Sequence, residues 1–195
     1  MGFFDTAKRS FKDVPVTDGK ISTTEFLEAA ETVVQLFDVL GSAAFTPVQT
    51  DMTGNIKKIR TRQDASPATS GTLQDLVASE LAEKKKTATE GLLWLNRGLE
   101  FTSQALRRNV SNPKEELSNS FTDAYGCTLK KHHNFIVKGV FGVAMKACPY
   151  RADFYKKLGD DEEKVLAQLQ EWLAALEQIV AILNALDLEA QMKKI

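Results

Sequence analysis

The sequence has little of several features that define common protein classes. Cysteine occurs only as Cys127 and Cys148, which is too few for the disulfide framework of a small secreted protein. We expect both side chains to be buried as small hydrophobes, in the reducing environment of the cytosol. Acidic and basic residues nearly balance, at 26 and 25, so the formal net charge of -1 gives no reason to expect nucleic acid as a partner.

Long apolar runs and catalytic motifs are also missing. No stretch approaches the roughly 18 apolar residues that a membrane-spanning helix needs, and the N-terminus lacks the apolar run typical of a signal peptide. The motifs GxSxG, GxGxxG, HExxH and the P-loop are absent. The only histidines, His132 and His133, are adjacent instead of at the i, i+4 spacing of a zinc pair, so no metal site is expected.

What the sequence does contain is apolar periodicity of the helical kind. With 195 residues, 43% of them hydrophobic, the chain can bury a substantial core, and we expect a single domain over 1–195. Residues 1–20 are expected to be an extended lead-in. Helices are predicted at 22–40, 45–63, 72–83, 89–108, 117–147 (bent or split), 153–158 and 161–193. No strand-like alternation stands out, so the predicted fold class is all-α, with helices packed in layers.

Residues 51–59 place an acid, an amide and a base on one side of a predicted helix. Asn55 lies about 40° round the helix from Asp51, and Lys58 lies about 20° round on the other side. One side chain accepts hydrogen bonds, one donates and accepts, and one donates while charged. A polyol such as a sugar headgroup needs that mixture. The alternative is a solvated helix face with a weak ion pair, which the spacing alone favours.

Three further features could belong to such a site. Gly54 within the same helix suggests close approach by another backbone or by a ligand, although a tolerated surface glycine is equally simple. Trp94 offers a flat ring for the apolar face of a sugar, although a tryptophan on a helix is most often core. Because adjacent helical residues diverge by about 100°, His132 and His133 are not expected to serve one site together.

Aromatic rings and lysines occur together in one segment before Pro149. The segment contains Phe135, Lys138, Phe141 and Lys146. This mixture suits a membrane interface. A core face beside a solvated face is the commoner arrangement, so the residues alone leave both interpretations open.

Six short strings together resemble the glycolipid transfer protein family. They are FDVLGS at 37–42, FTP at 45–47, DMTGNIKKI at 51–59, WLNRGL at 94–99, LKKHH at 129–133 and PYRADF at 149–154. Their order and approximate spacing follow the family over nearly the whole chain, from about residue 23 to residue 183. The N-terminal strings FKDVP and ISTTEF look most like the fungal, heterokaryon-incompatibility branch of the family.

The resemblance implies a two-layer helical sandwich that encloses a hydrophobic lipid pocket, uses no cofactor and performs no covalent chemistry. Such proteins move glycosphingolipids between membranes, so we expect a cytoplasmic monomer that contacts membrane surfaces transiently. By matching positions, Asp51, Asn55, Lys58 and Trp94 are expected to bind the sugar headgroup. Asp51 and His133 are expected to hold the ceramide amide.

The resemblance also implies where the lipid chains and the membrane lie. The chains are expected in a pocket lined by Leu36, Phe37, Phe45, Val48, Leu129 and Phe141. Docking on the bilayer is expected through Phe135, Lys138 and Tyr150. Phe135 stands where animal members have tryptophan, and the C-terminus lacks the tyrosine that helps to close their site, so docking strength and closure by the tail stay open.

Other functions remain as alternatives. A glycolipid sensor or scaffold would need the same pocket. A ceramide-phosphate carrier is disfavoured, because that branch of the superfamily carries basic residues where this chain has Asn55 and Trp94. A lipid hydrolase built on Asp51 and His133 is the least favoured, because no nucleophile with a nearby base is visible in the sequence.

Overall fold

Helices make up nearly all of the regular structure in the computed structural model, which describes residues 1–195. The α-helices are α1 Phe3–Thr6, α2 Thr23–Val39, α3 Thr46–Ala65, α4 Leu73–Ala82, α5 Thr87–Ser111, α6 Leu117–Cys127, α7 Phe135–Lys146, α8 Arg151–Leu158, α9 Glu162–Ala185 and α10 Leu188–Met192. Short 3-10 helices lie at Phe11–Asp13, Ala43–Phe45, Pro67–Thr69 and Lys130–His132. A hairpin pairs β1, Val16–Thr17, with β2, Lys20–Ile21. The predicted all-α class is confirmed.

Helix α5 is the central element of the fold. It packs against α3, α6 and α9, and α3 packs in turn against α2. One cluster of 47 buried hydrophobic residues runs through these interfaces, so the helices share one core. The buried carboxylate of Glu80, near the end of α4, accepts hydrogen bonds from the amides of Ala88 at 2.9 Å and Thr89 at 2.7 Å. This contact anchors the first turn of α5, where backbone N–H groups lack helical partners.

Local sequence signals account for most helix starts. α2 begins directly after Ser22, as the Ser-Thr-Thr run predicts, and α3 carries Pro47 in its first turn. The side chains of Thr72 and Asp161 accept backbone hydrogen bonds at the starts of α4 and α9. These caps are local in the chain, which is why the sequence predicts them well.

The long stretch predicted at 117–147 is split. α6 and α7 are separated by a 3-10 turn and by extended residues, including His133. Asn134 starts α7, because its side chain accepts a hydrogen bond from the Val137 amide at 3.0 Å. The segment that carries both histidines therefore does not follow α-helical geometry.

Residues 1–20 are not the extended lead-in that the sequence suggested. α1 packs against α8 and α9, and the ring of Phe11 contacts that of Trp172, with centroids 5.6 Å apart. The hairpin turns at Asp18 and Gly19, whose φ angles are 52° and 75°. An Asp-Gly pair favours this left-handed turn, so the sequence did contain the signal for the hairpin.

The last predicted helix, 161–193, is interrupted between α9 and α10. Asp187 lies at the break with a φ of 46°. Its side chain caps α10 by accepting a hydrogen bond from the Ala190 amide at 3.1 Å. The break places α10 against α5.

The expectation that both cysteines are buried is wrong for one of them. Cys127, at the end of α6, is exposed, whereas Cys148 is partly buried. Burial raises the pKa of the Cys148 thiol to about 12. That thiol is therefore protonated at neutral pH and unreactive as a nucleophile.

Candidate functional site

A cleft of about 540 Å³ lies between α3, α5 and the segment that ends in α7. Its polar lining is Asp51, Asn55, Lys58, His132, His133 and Asn134, and its apolar lining includes Val48, Met52, Trp94, Leu129, Val140 and Phe141. The volume is within the range of roughly 300–1,000 Å³ that holds small molecules. The cleft thus brings together all the residues predicted for the headgroup and the amide, and three of those predicted for the lipid chains.

The acid, the amide and the base on α3 form a hydrogen-bonded row. Lys58 Nζ donates to Asn55 Oδ1 at 3.3 Å, and Asn55 Nδ2 donates to Asp51 Oδ2 at 3.3 Å. Asn55 is buried, whereas Asp51 and Lys58 are exposed. We call these three residues the polar row. It leaves carboxylate lone pairs at one end and ammonium N–H groups at the other, which suits neighbouring hydroxyl groups of a ligand.

The surroundings of Asp51 affect its ionisation. Loss of hydrating water raises the pKa of this carboxyl group above its ordinary value of 3.8, and the positive charge of Lys58 acts in the opposite direction. In its ionised form the carboxyl group can only accept hydrogen bonds.

A glycine on α5 lets α3 approach closely beside the polar row. A Cβ atom at Gly91 would lie 3.2 Å from the Asn55 carbonyl oxygen and 3.2 Å from Lys58 Cβ. Nothing lies within 4 Å of the corresponding position at Gly54, which is a surface glycine. The close approach suggested for Gly54 is therefore found at Gly91 instead. The close approach at Gly91 sets the spacing between the polar row on α3 and Trp94 on α5.

Both histidines lie against Trp94. The His133 ring is nearly parallel to the indole, with an interplanar angle of 14° and centroids 6.0 Å apart. The His132 ring meets the indole edge-on at 6.2 Å. The expected divergence of the two side chains is not found, because a 3-10 turn and an extended residue replace the helix that the expectation assumed, and both rings line one cleft.

Burial is the main reason why the pKa of each histidine is below its ordinary value of 6.5. Nearby positive charges lower both pKa values further, with Arg97 acting on both rings and Lys138 on His133. Both rings are therefore neutral at pH 7, so each offers one donor and one acceptor nitrogen. No group of three or more His, Cys, Asp or Glu side chains is arranged to hold a metal ion.

Tyr125 is a residue of the site that the sequence analysis missed. Its hydroxyl oxygen lies 3.1 Å from His133 Nδ1. Burial raises the pKa of the Tyr125 phenol, so the hydroxyl keeps its proton and can donate a hydrogen bond to Nδ1. With the hydroxyl as donor to Nδ1, the neutral imidazole carries its proton on Nε2, which can then donate to a ligand. Nothing in the local sequence distinguishes this tyrosine from an ordinary core residue.

Arg97 and the C-terminal helix also reach the edge of the site. The guanidinium carbon of Arg97 lies 4.6 Å from the centroid of the Trp94 ring, within the range of a cation–π contact. Arg97 Nη2 donates to Glu189 Oε2 on α10 at 3.0 Å. Helix α10 is thus linked to the Trp94 ring through Arg97, by an ion pair between residues 92 positions apart in the sequence.

Residues 21–160 match the sequence profile of the family described as Glycolipid transfer protein (GLTP). A glycolipid transfer protein from Aureobasidium melanogenum is 65% identical over 182 residues, which are 93% of this chain and 90% of that protein. The chain belongs to the glycolipid transfer protein family. The resemblance found in the six sequence strings is confirmed.

Solved structures with the fold of the glycolipid transfer protein family superpose closely on this one. HET-C2, a fungal glycolipid transfer protein, matches with a TM-score of 0.91 at 57% identity, covering 94% of this chain and 95% of that chain. FAPP2, described as selecting simple glycosphingolipids with the GLTP fold, matches with a TM-score of 0.87 at 36% identity, covering 95% and 94%. The expected two-layer helical sandwich is confirmed.

The six residues that the family resemblance assigns to the lipid chains divide into two groups. All six are buried: Leu36, Phe37, Phe45, Val48, Leu129 and Phe141. Val48, Leu129 and Phe141 line the cleft, whereas the other three do not. The rings of Phe37 and Phe45 pack against each other with centroids 5.7 Å apart. These two side chains and Leu36 therefore belong to the closed core and not to the open cleft.

Beside the cleft, the outer face of α7 is apolar. Phe135 is 90% exposed, Ile136 74% and Val143 64%, and Tyr150 beyond the helix is 74% exposed. We call these four residues the docking face. Large exposed apolar patches mark binding surfaces for proteins or membranes. Nothing among the helices has the length and apolar character needed to cross a bilayer.

The segment that carries the docking face is basic. Residues 124–152 contain no Asp or Glu. Lys130, Lys131, Lys138 and Lys146 are all exposed, and none of them forms a salt bridge. Lys138, which the family resemblance assigns to the membrane, is therefore one of several free ammonium groups here. Ile136 and Val143 were missed because helical periodicity alone does not say which apolar stripe faces the core.

Proposed function

We propose that this protein carries simple glycosphingolipids between membranes and performs no covalent reaction on them. The observation that carries the proposal is that the polar row, the indole of Trp94 and an apolar wall share one cleft beside an exposed apolar helix face. Membership in the glycolipid transfer protein family supports it. The selection of simple glycosphingolipids by FAPP2 supports the choice of headgroup.

The sugar would be held between the polar row and Trp94. Asp51 would accept hydrogen bonds from hydroxyl groups, Lys58 would donate to ring or hydroxyl oxygens, and Asn55 would do both. The indole would lie against the apolar face of the sugar ring. Each polar group that a bound lipid shields from water and leaves unpaired costs about 1–3 kcal/mol, so headgroup recognition would dominate selectivity.

The ceramide amide would be bound by one hydrogen-bond donor and one acceptor. His133 Nε2–H would donate to the amide carbonyl, while Asp51 would accept from the amide N–H. The contact of Tyr125 with Nδ1 supports this role, because it leaves Nε2 as the donor. The two bonds would fix the lipid at the junction between its sugar and its chains.

The lipid chains would enter along Val48, Leu129 and Phe141. Because Leu36, Phe37 and Phe45 are packed in a closed core, they would have to separate as the chains enter. Burial of chain surface, at about 25 cal/mol per Å², would offset the loss of these contacts. The source bilayer solvates the chains almost as well, so the chains would contribute little to selectivity.

The docking face, together with Lys138, would contact the bilayer. Phe135 would insert among the acyl chains, but it lacks the N–H group with which tryptophan anchors at the interface. Because Val137 and Val140 of the same helix line the cleft, docking there would bring the cleft close to the membrane surface. A lipid could then leave the bilayer without crossing a thick layer of water.

The same reasoning supports the expected setting of the protein. One core cluster supports a single domain over residues 1–195. We propose a cytoplasmic monomer that binds membranes peripherally and needs no cofactor. A glycolipid sensor with the same pocket is the alternative that the test below separates.

Transfer of fluorescent glucosylceramide between vesicles tests the proposal. Wild-type protein should transfer the lipid, and Asp51→Asn and Trp94→Ala should each reduce the rate by at least about tenfold, because each removes a headgroup contact. Asp64→Asn is the matched control. It removes a carboxylate from the exposed end of the same helix and should leave the rate unchanged.

Each contrary result has a distinct meaning. Wild-type protein that binds the lipid but does not transfer it, and that captures a partner only when loaded, would support the sensor. Undiminished transfer by both variants would support the carrier function but show that the headgroup binds outside this cleft.

A further inference from the structure

We infer that Glu189, on α10, is a specificity-determining residue that keeps lipids with anionic headgroups out of the cleft by neutralising Arg97. The inference rests on the proposed function and adds to it the basis on which charged lipids are rejected. Glu189 would act through Arg97 and would not itself touch the sugar.

The geometry puts one largely enclosed positive charge at the edge of the headgroup site. The side chain of Arg97 is only 13% exposed, and its guanidinium group lies against the Trp94 ring. Glu189, whose side chain is 51% exposed, is its one ion-pair partner, at 3.0 Å. A guanidinium group that is shielded from water exerts a stronger field on its surroundings than a fully solvated one.

Both charges act on His132, which lines the cleft. Burial is the main cause of the lowered pKa of His132, the charge of Arg97 lowers that pKa further, and the charge of Glu189 raises it. His132 is part of the cleft lining. A ligand headgroup bound beside His132 would therefore experience the same two opposing fields.

Lys58 and Arg97, the two cations nearest the polar row and the indole, each have a carboxylate close by. Lys58 faces Asp51 in the polar row, and Arg97 faces Glu189, while both histidines are neutral. A neutral sugar needs no net charge in its site. Without Glu189, the planar fork of Arg97 would be free to bind a phosphate or sulfate group through paired hydrogen bonds.

The fold holds Glu189 in place. The left-handed conformation of Asp187 turns the chain back towards α5, and Leu188 is buried, with 2% of its surface exposed. Lys193 Nζ donates to the second oxygen of Glu189 at 3.2 Å. The tail thus reaches the edge of the site through an anchored ion pair.

The test compares transfer of neutral and anionic lipids from phosphatidylcholine vesicles. The neutral lipid is labelled glucosylceramide, and the anionic lipids are labelled sulfated galactosylceramide and ceramide-phosphate. Glu189→Gln should raise the ratio of anionic to neutral transfer by about three- to tenfold, and high salt should shrink that gain. Adding Arg97→Gln should abolish the gain, and Glu189→Asp, which keeps the charge, should retain most of the wild-type ratio.

Glu177→Gln is the matched control. Glu177 pairs with Arg107, which is also on α5, at 2.7 Å, and this pair lies outside the cleft. The ratio of anionic to neutral lipid transfer in Glu177→Gln should therefore equal that of the wild type. An unchanged ratio in Glu189→Gln, an equal rise in the control, or equal loss of all three lipids would overturn the inference. Wild-type protein that transfers no neutral glycolipid would instead overturn the proposed function.

Discussion

At the scale of single residues, His133 shows how contacts define the chemistry of a side chain. Its ring contacts the indole of Trp94 and the ring of Phe141, and the centroids of the His133 and Phe141 rings are 4.6 Å apart. The hydroxyl oxygen of Tyr125 lies within hydrogen-bond distance of its Nδ1. Burial lowers the pKa of the ring, which favours its neutral form, and a hydroxyl that donates to Nδ1 places the imidazole proton on Nε2. A pair of adjacent histidines in the sequence carries none of this information.

The lowered pKa of His133 predicts the pH dependence of transfer. Because the pKa of this histidine lies below its ordinary value of 6.5, any step that His133 causes in the transfer rate should be centred below that value. The rate should fall only at more acidic pH, where His133 gains a proton and Asp51, whose pKa is raised, begins to lose its charge. Transfer rates measured from about pH 8 to about pH 5 check this.

The same shift has a consequence for stability. A partly buried histidine with a lowered pKa binds its proton less readily in the folded than in the unfolded chain, so folding stability should decrease as the pH falls below 6.5. Circular dichroism at each pH separates this loss of structure from loss of transfer. A step in the transfer rate centred near pH 6.5, with the fold intact, would contradict the neutral assignment.

At the scale of elements, the contact between α3 and α5 decides the geometry of the headgroup site. The polar row lies on α3 and Trp94 lies on α5, so the distance between the helices sets the width of the site. Gly91 permits their close approach, whereas Gly54, in the middle of α3, is exposed and has open space where a Cβ atom would lie. The two glycines look alike in sequence but differ in their surroundings.

Replacing each glycine by alanine should therefore have opposite effects. Gly54→Ala should raise the free energy of unfolding by about 0.5–1 kcal/mol, because alanine favours the helix and no atom is in its way. Gly91→Ala should lower it by roughly 1 kcal/mol or more, because its Cβ would press on Asn55 and Lys58. Urea unfolding of both variants measures the difference, and equal stabilisation by both would contradict the close contact.

At the scale of the whole molecule, charge and apolar surface are unevenly distributed. The formal net charge of the chain is -1, yet residues 124–152 carry only basic charges, so the rest of the chain is net acidic. The docking face lies within the basic segment. Lysines beside an exposed apolar face are suited to membranes that contain anionic lipids, each contributing about 1 kcal/mol near such a surface.

Vesicle partitioning should reflect both properties. Binding should be tighter to vesicles that contain phosphatidylserine than to vesicles of phosphatidylcholine alone. Salt should weaken only the gain in affinity that phosphatidylserine gives. Phe135→Ala should weaken binding to both kinds of vesicle by about tenfold, because it removes an inserted ring worth roughly 1.5 kcal/mol or more.

Val16→Ala is the matched control for the apolar change. Val16 is 42% exposed on the hairpin, away from the docking face, so its loss should not alter partitioning. Equal partitioning of Phe135→Ala and wild type would mean that the bilayer contacts another surface.

The sequence by itself determined the features that depend on residues close together in the chain. The start of α2 after Ser22 and the spacing of Asp51, Asn55 and Lys58 are set within one or two turns, so residue type and periodicity were enough to predict them. The order of the family strings was enough to identify the family. The functional roles of the site residues stay predictions until transfer is measured.

Only the tertiary structure decided the features that join distant parts of the chain. It placed both histidines against Trp94, brought Tyr125 to His133, packed the N-terminal residues on α9 and paired Arg97 with Glu189. Each depends on a turn that ends a helix or on which stripe of a helix meets the core. Those outcomes follow from the packing of all the helices around α5, and no local pattern of residues encodes them.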